Sequence, residues 1–183
     1  MRVIAGTARR LNLVTPKGMN TRPTSDKIKE TLFNILAFDL PGVYFLDLFS
    51  GSGGIGIEAL SRGAKFCTFI EKDKDALACI RKNLDTTGFT GKSEVMGHDV
   101  FSTLYNLHPK EKYDIVFMDP PYDSGFEKNA LSILAHLDII SDEAVIIIES
   151  SKDTDYSFAE GLGFTVTRVK DYKNNKHVFL KRT

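Results

Sequence analysis

The chain has 183 residues, of which 42% are hydrophobic and 26% charged, values typical of a globular protein with one core. No apolar run approaches the roughly 18 residues of a membrane span, and the first residues lack the apolar core of a signal peptide. Cys67 and Cys79 form no Cys-x-x-Cys pair, so neither a disulfide framework nor a metal site is expected. These features predict a cytoplasmic protein.

The formal net charge is zero, but the charges are unevenly distributed. Residues 1–30 carry seven bases against two acids, and residues 168–183 carry six bases against one acid, so each end has a net charge of +5. The middle of the chain therefore carries −10. Basic ends on an acidic body suggest a polyanion bound at one place, although solvated termini explain the charge equally well.

The amino-terminal segment has short β-like pieces, Arg2–Ala5 and Leu11–Val14, among glycines and prolines. They predict a hairpin-like arm over residues 1–24, followed by the main domain over residues 25–183. The main domain begins with a helix capped by Ser25-Asp26. Its apolar face is predicted to consist of Ile28, Leu32, Ile35 and Leu36.

Strand and helix patterns alternate through the middle of the chain. The predicted strands are Val43–Leu48, Lys65–Ile70, Ser93–Met96, Tyr113–Met118 and Ala144–Ile148, and the predicted helices are Ile55–Ser61, Asp73–Thr87 and Phe126–Leu137. Apolar strands separated by helices indicate a parallel sheet covered on both faces. Phe164–Asp171 and Lys176–Lys181, joined at Asn174-Asn175, predict a closing antiparallel hairpin.

The segment Asp119-Pro120-Pro121-Tyr122 directly follows the strand Tyr113–Met118. Proline cannot donate to a ladder and restricts the residue before it, so Asp119 and Pro120 are expected to be extended, with the Pro120 carbonyl unpaired. Open α/β sheets bind ligands at the carboxyl ends of their strands. An acid, a carbonyl and a ring at that place can hold a planar molecule that bears an NH2 group. The alternative is a turn whose prolines merely end a strand.

A glycine-rich turn follows the first core strand, with Gly51, Gly53 and Gly56 in a G-x-G-x-x-G pattern. Glycines let the backbone turn sharply and approach a ligand closely. Glu71 ends the second strand 20 positions after Gly51, where an acid can bind ribose hydroxyls. The pattern predicts a nucleoside site, which binds NAD or S-adenosyl-L-methionine.

Two acids favour S-adenosyl-L-methionine. Asp47 precedes the glycine turn, where its charge would repel a pyrophosphate but attract a sulfonium and an ammonium. Asp99 ends the third strand and can accept from an adenine amino group. Glu71 and Asp99 can also be read as solvated strand-end acids, but three acids at the same end of consecutive strands favour a binding site.

These motifs together resemble the class I S-adenosyl-L-methionine-dependent methyltransferases that modify exocyclic amino groups: DLFSGSG at residues 47–53, Glu71, Asp99 and DPPY at residues 119–122. DPPY alone is shared by adenine, guanine and glutamine methylases. Further segments narrow the resemblance to the RsmD family of bacterial guanine-N2 methyltransferases of 16S rRNA. They are MRVIAG (1–6), TPKG (15–18), TRPT (21–24), TLFNIL (31–36) and EALSRGA (58–64).

The resemblance implies a Rossmann-like α/β three-layer sandwich with a seven-stranded, mostly parallel sheet, an antiparallel last strand and a small amino-terminal β-arm. It implies methyl transfer to N2 of a guanine in 16S rRNA, within the small ribosomal subunit or its late precursor, by a monomer. Asp119 and the Pro120 carbonyl would hold the amine, and Tyr122 would stack on the base, a contact worth about 1–3 kcal/mol. The cofactor would be held by Asp47, Gly51, Gly53, Glu71 and Asp99.

The predicted RNA contacts are Arg2, Arg9, Arg10, Lys17 and Arg22, together with Tyr122, because basic side chains position RNA through its phosphates. Arg22 and Thr24 could alternatively close the cofactor pocket, and a capping turn before Ser25 explains them equally well. His98, His108, His136 and His177 are scattered and predict no ligand set.

Four rival functions fit these features less well. An adenine-N6 DNA methylase usually has an added target-recognition region, for which this chain has no room. A glutamine methylase usually has Asn where Asp119 stands, and an NAD-dependent oxidoreductase gives Asp119–Tyr122 no function. A non-catalytic RNA-binding module would not need an intact site.

Overall fold

The structure is a computed structural model that describes residues 1–16, 26–122 and 124–183. Within these residues seven strands form one sheet in the order β3-β2-β1-β4-β5-β7-β6. The strands are β1 (Tyr44–Leu48), β2 (Phe66–Ile70), β3 (Ser93–Met96), β4 (Tyr113–Met118), β5 (Ile140–Ser151), β6 (Phe164–Asp171) and β7 (Asn175–Arg182). The first five pair in parallel, whereas β7 is antiparallel to both β5 and β6. The predicted sheet is therefore confirmed.

The helices are α1 (Asp26–Ile35), α2 (Gly54–Ser61), α3 (Lys74–Thr87), α4 (Val100–Tyr105), α5 (Phe126–His136) and α6 (Phe158–Gly161), with a short 3-10 turn at Thr90–Lys92. The predicted α2, α3 and α5 agree with the structure to within one residue. The sequence pattern missed α4 and α6, which are six and four residues long and too short to show a helical period. None of the helices in the described ranges is long and apolar enough to cross a membrane.

The sheet lies between two helical layers. Alternate residues of each central strand point to opposite faces, so Ile115 and Phe117 join one buried cluster while Val116 and Met118 join the other. The first cluster includes residues of the amino-terminal arm, α1, α2 and α3; the second includes residues of α4, α5 and α6. Strand β5 extends beyond the predicted Ala144–Ile148 at both ends. The sequence pattern does not indicate its amino-terminal part, because that part is partly exposed and lacks a continuous apolar run.

Residues 1–16 form a hairpin-like arm that lies along α2. The predicted strands reduce to a single antiparallel bridge between Arg2 and Asn12, supported by a 2.9 Å bond from the Val3 N–H to the Leu11 carbonyl. Met1 packs against Gly54 at the start of α2, and the Thr7 N–H donates to Ser61 at its end. The arm shares a core with the rest of the chain, and a domain boundary at residue 24 stays a prediction because residues 17–25 lie outside the described part.

The buried face of α1 differs from the predicted one. Leu32 and Leu36 are buried as predicted, but Ile28 and Ile35 are only partly so, and Lys29 and Phe33 are buried instead. A lysine is rarely buried without a partner. Lys29 is accommodated because it forms an ion pair with Glu58 of α2.

Candidate active site

A cavity of about 740 Å³ lies at the carboxyl ends of the parallel strands, a size suited to a nucleoside cofactor and a base. Five carboxylates line it, each at or just after the end of one of the strands β1 to β5. They are Asp47, Glu71, Asp99, Asp119 and Glu149. Of the predicted site residues, Gly51, Pro120 and Tyr122 also line this cavity.

The glycine-rich turn connects β1 to α2 through left-handed backbone conformations. Gly51 has a φ of 54° and Gly53, which caps α2, has a φ of 79°; both values favour glycine because they strain other side chains. The Gly51 N–H donates to Oε2 of Glu71 at 2.8 Å. Gly56 serves packing, because a Cβ there would come within 2.3 Å of the Phe69 ring.

Asp47 is a buried carboxylate at the end of β1, with 1% of its surface exposed. Its Oδ2 accepts the N–H of Gly56 at 3.0 Å, which fixes the start of α2. Burial raises the pKa of Asp47 to about 7, against the effect of that N–H, and the charge of Glu71 adds to the rise. A positively charged ligand in the cavity would favour the ionised form of Asp47.

Glu71 and Asp99 both accept bonds from backbone N–H groups. Oε1 of Glu71 accepts from Lys72 at 2.8 Å and from Asp73 at 2.9 Å. Asp99 caps α4, where its Oδ1 accepts from Phe101 and Ser102. Both bonds use Oδ1, and no donor within residues 1–16, 26–122 and 124–183 bonds to Oδ2. The carboxylates are therefore held in fixed directions.

An aromatic wall beside the glycine turn was not identified from the sequence. Phe49, which has an unusual φ of 61°, stacks on Phe126 with 5.9 Å between ring centroids, and both residues line the cavity. Phe101 packs edge-on against both rings. Flat apolar surfaces of this kind suit a purine ring. The three residues are far apart in sequence, so no local pattern indicated the contact.

Asp119–Tyr122 follows β4 as predicted. Burial raises the pKa of Asp119 well above its usual range, and the charges of Glu149 and Asp47 raise it further. Within the described part of the chain, no hydrogen-bond donor reaches the Asp119 carboxylate. Pro120 is buried, and Tyr122 is 47% exposed at the mouth of the cavity. An acceptor without a donor and a half-exposed ring are features that a ligand can use.

Glu149 is a second site residue that sequence reasoning missed. It accepts a 3.1 Å bond from Nε2 of His177 and a short bond from the side-chain amide of Asn175. The hydroxyl of Tyr172 lies 3.1 Å from Nδ1 of the same histidine. The predicted strand ended at Ile148, directly before Glu149, so the strand-end rule that singled out Asp119 could have found it.

Of the predicted RNA contacts, Tyr122 lines the cavity, whereas the described basic residues Arg2, Arg9 and Arg10 do not. Arg2 forms a 2.8 Å ion pair with Asp26, and Lys17 and Arg22 lie outside the described residues. Arg9 and Arg10 are exposed at the tip of the arm, beside the end of α2 that is farther from the cavity. Because α2 has eight residues, its two ends are about 12 Å apart.

Comparison with known proteins identifies the family. The family model described as "Conserved hypothetical protein 95" matches residues 1–181. The Haemophilus influenzae and Escherichia coli K12 proteins named Ribosomal RNA small subunit methyltransferase D are each 37% identical to this chain; the matches cover 84% and 82% of it, and 80% and 74% of the relatives. The chain belongs to the RsmD family of methyltransferases.

The fold agrees with this membership. A solved structure of the Escherichia coli protein yhhF superimposes with a TM-score of 0.84 at 32% identity, covering 100% of this chain and 97% of that one. The Bacillus subtilis protein YlbH is 34% identical over 94% of both chains. The predicted class I methyltransferase fold, with a Rossmann-like α/β sandwich, is thereby confirmed.

Proposed function

We propose that this RsmD-family chain transfers a methyl group from S-adenosyl-L-methionine to the N2 amino group of a guanine in 16S rRNA. The observation that carries the proposal is the meeting of Asp119, Pro120 and Tyr122 with the carboxylates of β1, β2 and β3 in one cavity. Related proteins named for small-subunit rRNA methylation support the substrate class. Its place of action would be the cytoplasm.

The carboxylates and aromatic rings that line the cavity fit S-adenosyl-L-methionine. Asp47 offers a buried carboxylate to a cationic molecule, and Glu71 offers oriented oxygens to ribose hydroxyls. The Oδ2 of Asp99 and the rings of Phe49 and Phe126 suit an adenine. When bound, this cofactor supplies a methyl group on a positively charged sulfur, which needs no further activation.

Asp119 and the Pro120 carbonyl hold the target amine in this proposal. The lone pair of a guanine N2 is delocalised into the ring, so the amine is a poor nucleophile. Two acceptors for its two hydrogens orient the nitrogen and stabilise the positive charge that develops on it. Tyr122 stacks on the base, which must leave its own stack to reach the cavity.

The decisive experiment uses small ribosomal subunits that lack the modification, incubated with tritiated S-adenosyl-L-methionine, followed by mapping of the labelled nucleotide. Label on N2 of a guanine in 16S rRNA is expected. Label on an adenine, label in protein or DNA, or no label would each reject the proposal. The same assay with naked 16S rRNA tests whether the assembled subunit is the preferred substrate.

Asp119→Ala is the matched variant for this assay. Binding of S-adenosyl-L-methionine should persist, because the predicted cofactor contacts lie on β1, β2 and β3. Methyl transfer should fall by a factor on the order of 10² to 10⁴. Normal transfer by a folded Asp119→Ala protein would remove Asp119 from the proposed role.

A further inference from the structure

Three titratable side chains lie in one row across the carboxyl end of the sheet. Strands β4 and β5 pair Met118 with Ile148, so Asp119 and Glu149 follow at equivalent positions on adjacent strands. Strands β5 and β7 pair Glu149 directly with His177. Adjacent strands are about 4.8 Å apart, and equivalent positions point to the same face. The sheet therefore places Asp119, Glu149 and His177 side by side.

Glu149 is held in this row by buried donors. The exposed fractions of Glu149, Asn175 and His177 are 5%, 7% and 0%. Each carboxylate oxygen accepts one bond, Oε1 from Asn175 and Oε2 from His177. With the Tyr172 hydroxyl donating to Nδ1, a neutral histidine carries its proton on Nε2 and donates it to Glu149. The Glu149 carboxylate is therefore held in a fixed position.

We propose that Glu149 is a positioning residue for methyl transfer, whose fixed negative charge prepares the neighbouring Asp119 to receive the proton that leaves the target amine. This inference rests on the proposed function. In the reaction the amine lone pair forms the nitrogen–carbon bond, and the methyl–sulfur bond breaks with its electron pair staying on sulfur. One N–H proton then passes from the amine nitrogen to an oxygen of Asp119, so that a neutral methylated amine remains.

The electrostatics of the cavity agree with this role. Burial is the main cause of the raised pKa of Asp119, and the charge of Glu149 is the next. Without the charge of Glu149 on β5, the Asp119 carboxylate would bind a proton less strongly. The other charged or titratable described groups that line the cavity or contact Glu149 or His177 are the α-amino group of Met1, Lys29, Asp47, Glu71, Lys72, Asp99, Tyr122, Tyr172, Lys173 and His177.

The test compares Glu149→Gln with Glu143→Gln in the full chain. Glu143 lies on the same strand, but its side chain is 91% exposed and pairs with Lys181. Two quantities are measured: the titration midpoint of the Asp119 carboxyl by ¹³C NMR without ligands, assigned with Asp119→Asn, and the pH dependence of kcat. Thermal unfolding and binding of S-adenosylhomocysteine report whether each variant is folded.

In Glu149→Gln we expect the Asp119 midpoint and the acid limb of kcat to move together to lower pH. The plateau of kcat should fall about tenfold or more, because a less basic Asp119 carboxylate stabilises the positive charge that develops on the amine nitrogen less, while KM for S-adenosyl-L-methionine stays within about twofold. Glu143→Gln should match the wild type. In Glu149→Asp, which keeps the charge, the Asp119 midpoint should lie closer to that of the wild type than it does in Glu149→Gln.

Each contrary result has a distinct meaning. If the Asp119 midpoint in folded Glu149→Gln equals that of the wild type, the inference is overturned, even in an enzyme that methylates rRNA. A midpoint that moves without any change in the pH profile of kcat also overturns it. A wild-type enzyme that transfers no methyl group to rRNA overturns the proposed function itself, and the NMR titration remains readable in that case.

Discussion

The ammonium of Lys29 lies 3.2 Å from Oε2 of Glu58, and these side chains are only 1% and 0% exposed. Glu58 also accepts the backbone N–H groups of Ile4 and Ala5 at 2.8 and 3.0 Å, while Lys29 donates to the Arg2 carbonyl at 2.6 Å. Burial lowers the pKa of Lys29, and the charge of Glu58 opposes this effect. One buried ion pair thus connects α1, α2 and the amino-terminal arm.

We predict that Glu58→Ala destabilises the protein by about 3–5 kcal/mol, because it leaves a charged lysine buried without its carboxylate. The free energy of unfolding in urea measures this loss. Amide exchange at Ile4 and Ala5 should accelerate, since both N–H groups lose their acceptor. Glu30→Ala, at an exposed position of α1, is the control and should change stability by less than about 0.5 kcal/mol. A similarly small loss in Glu58→Ala would contradict the anchoring role.

The buried Asp47 should make the stability of the protein depend on pH. Its pKa rises from 3.8 to about 7 in the folded state, so folding favours its protonated form. The stability it contributes is fully present below pH 4 and is lost as the pH rises through about 7. Asp47→Asn should therefore flatten the stability curve between pH 4 and 7 and be more stable at pH 8, by up to about 4 kcal/mol.

Urea unfolding at several pH values measures this difference for Asp47→Asn. The exposed Asp39→Asn serves as the control, and its curve should follow that of the wild type. The Asp47 variant should also bind S-adenosyl-L-methionine more weakly, because it lacks the negative charge. Tighter binding, or a stability curve that still falls between pH 4 and 7 as steeply as the wild type, would contradict the assignment.

Tyr122 should contribute its ring rather than its hydroxyl. Loss of a stacked base contact costs about 1–3 kcal/mol, so Tyr122→Ala should lower kcat/KM for rRNA by roughly 5- to 150-fold. Tyr122→Phe keeps the ring and should stay within about threefold of the wild type. Tyr105→Ala, on α4 and 63% exposed, controls for the loss of a surface tyrosine. A Tyr122→Phe defect as large as that of Tyr122→Ala would assign the function to the hydroxyl instead.

The tip of the arm should act through charge alone. Each phosphate contact contributes roughly 0.7–0.9 to the slope of log affinity against log salt. The double variant Arg9→Ala/Arg10→Ala should therefore reduce that slope by about 1.5 for the small subunit, with kcat unchanged. The control is Lys92→Ala/Lys110→Ala, because these two lysines are exposed and are not among the predicted RNA contacts. An unchanged slope in the arginine variant would place the RNA elsewhere.

The candidate site was largely predictable where it depends on strand ends. Asp47, Glu71 and Asp119 each follow an apolar run, and Asp99 follows the short strand Ser93–Met96. Parallel strands bring such positions to one edge whatever their order in the sheet. Glu149 obeys the same rule, because the predicted strand ends at Ile148 directly before it, yet it was missed. The basic residues were less informative, since a count of charges does not say that Arg2 pairs with Asp26.

Local pattern was sufficient for the alternation of strands and helices, the glycine turn and the acid–proline–aromatic segment, because each depends on neighbouring residues and backbone sterics. Only the tertiary structure decided that His177 contacts Glu149, 28 residues away, and that Lys29 is buried. Strand register determines the contact between His177 and Glu149. Lys29 can be buried because a residue distant in sequence, Glu58, forms an ion pair with it. Neither leaves a periodic signal in the sequence, because the contacting residues belong to separate elements.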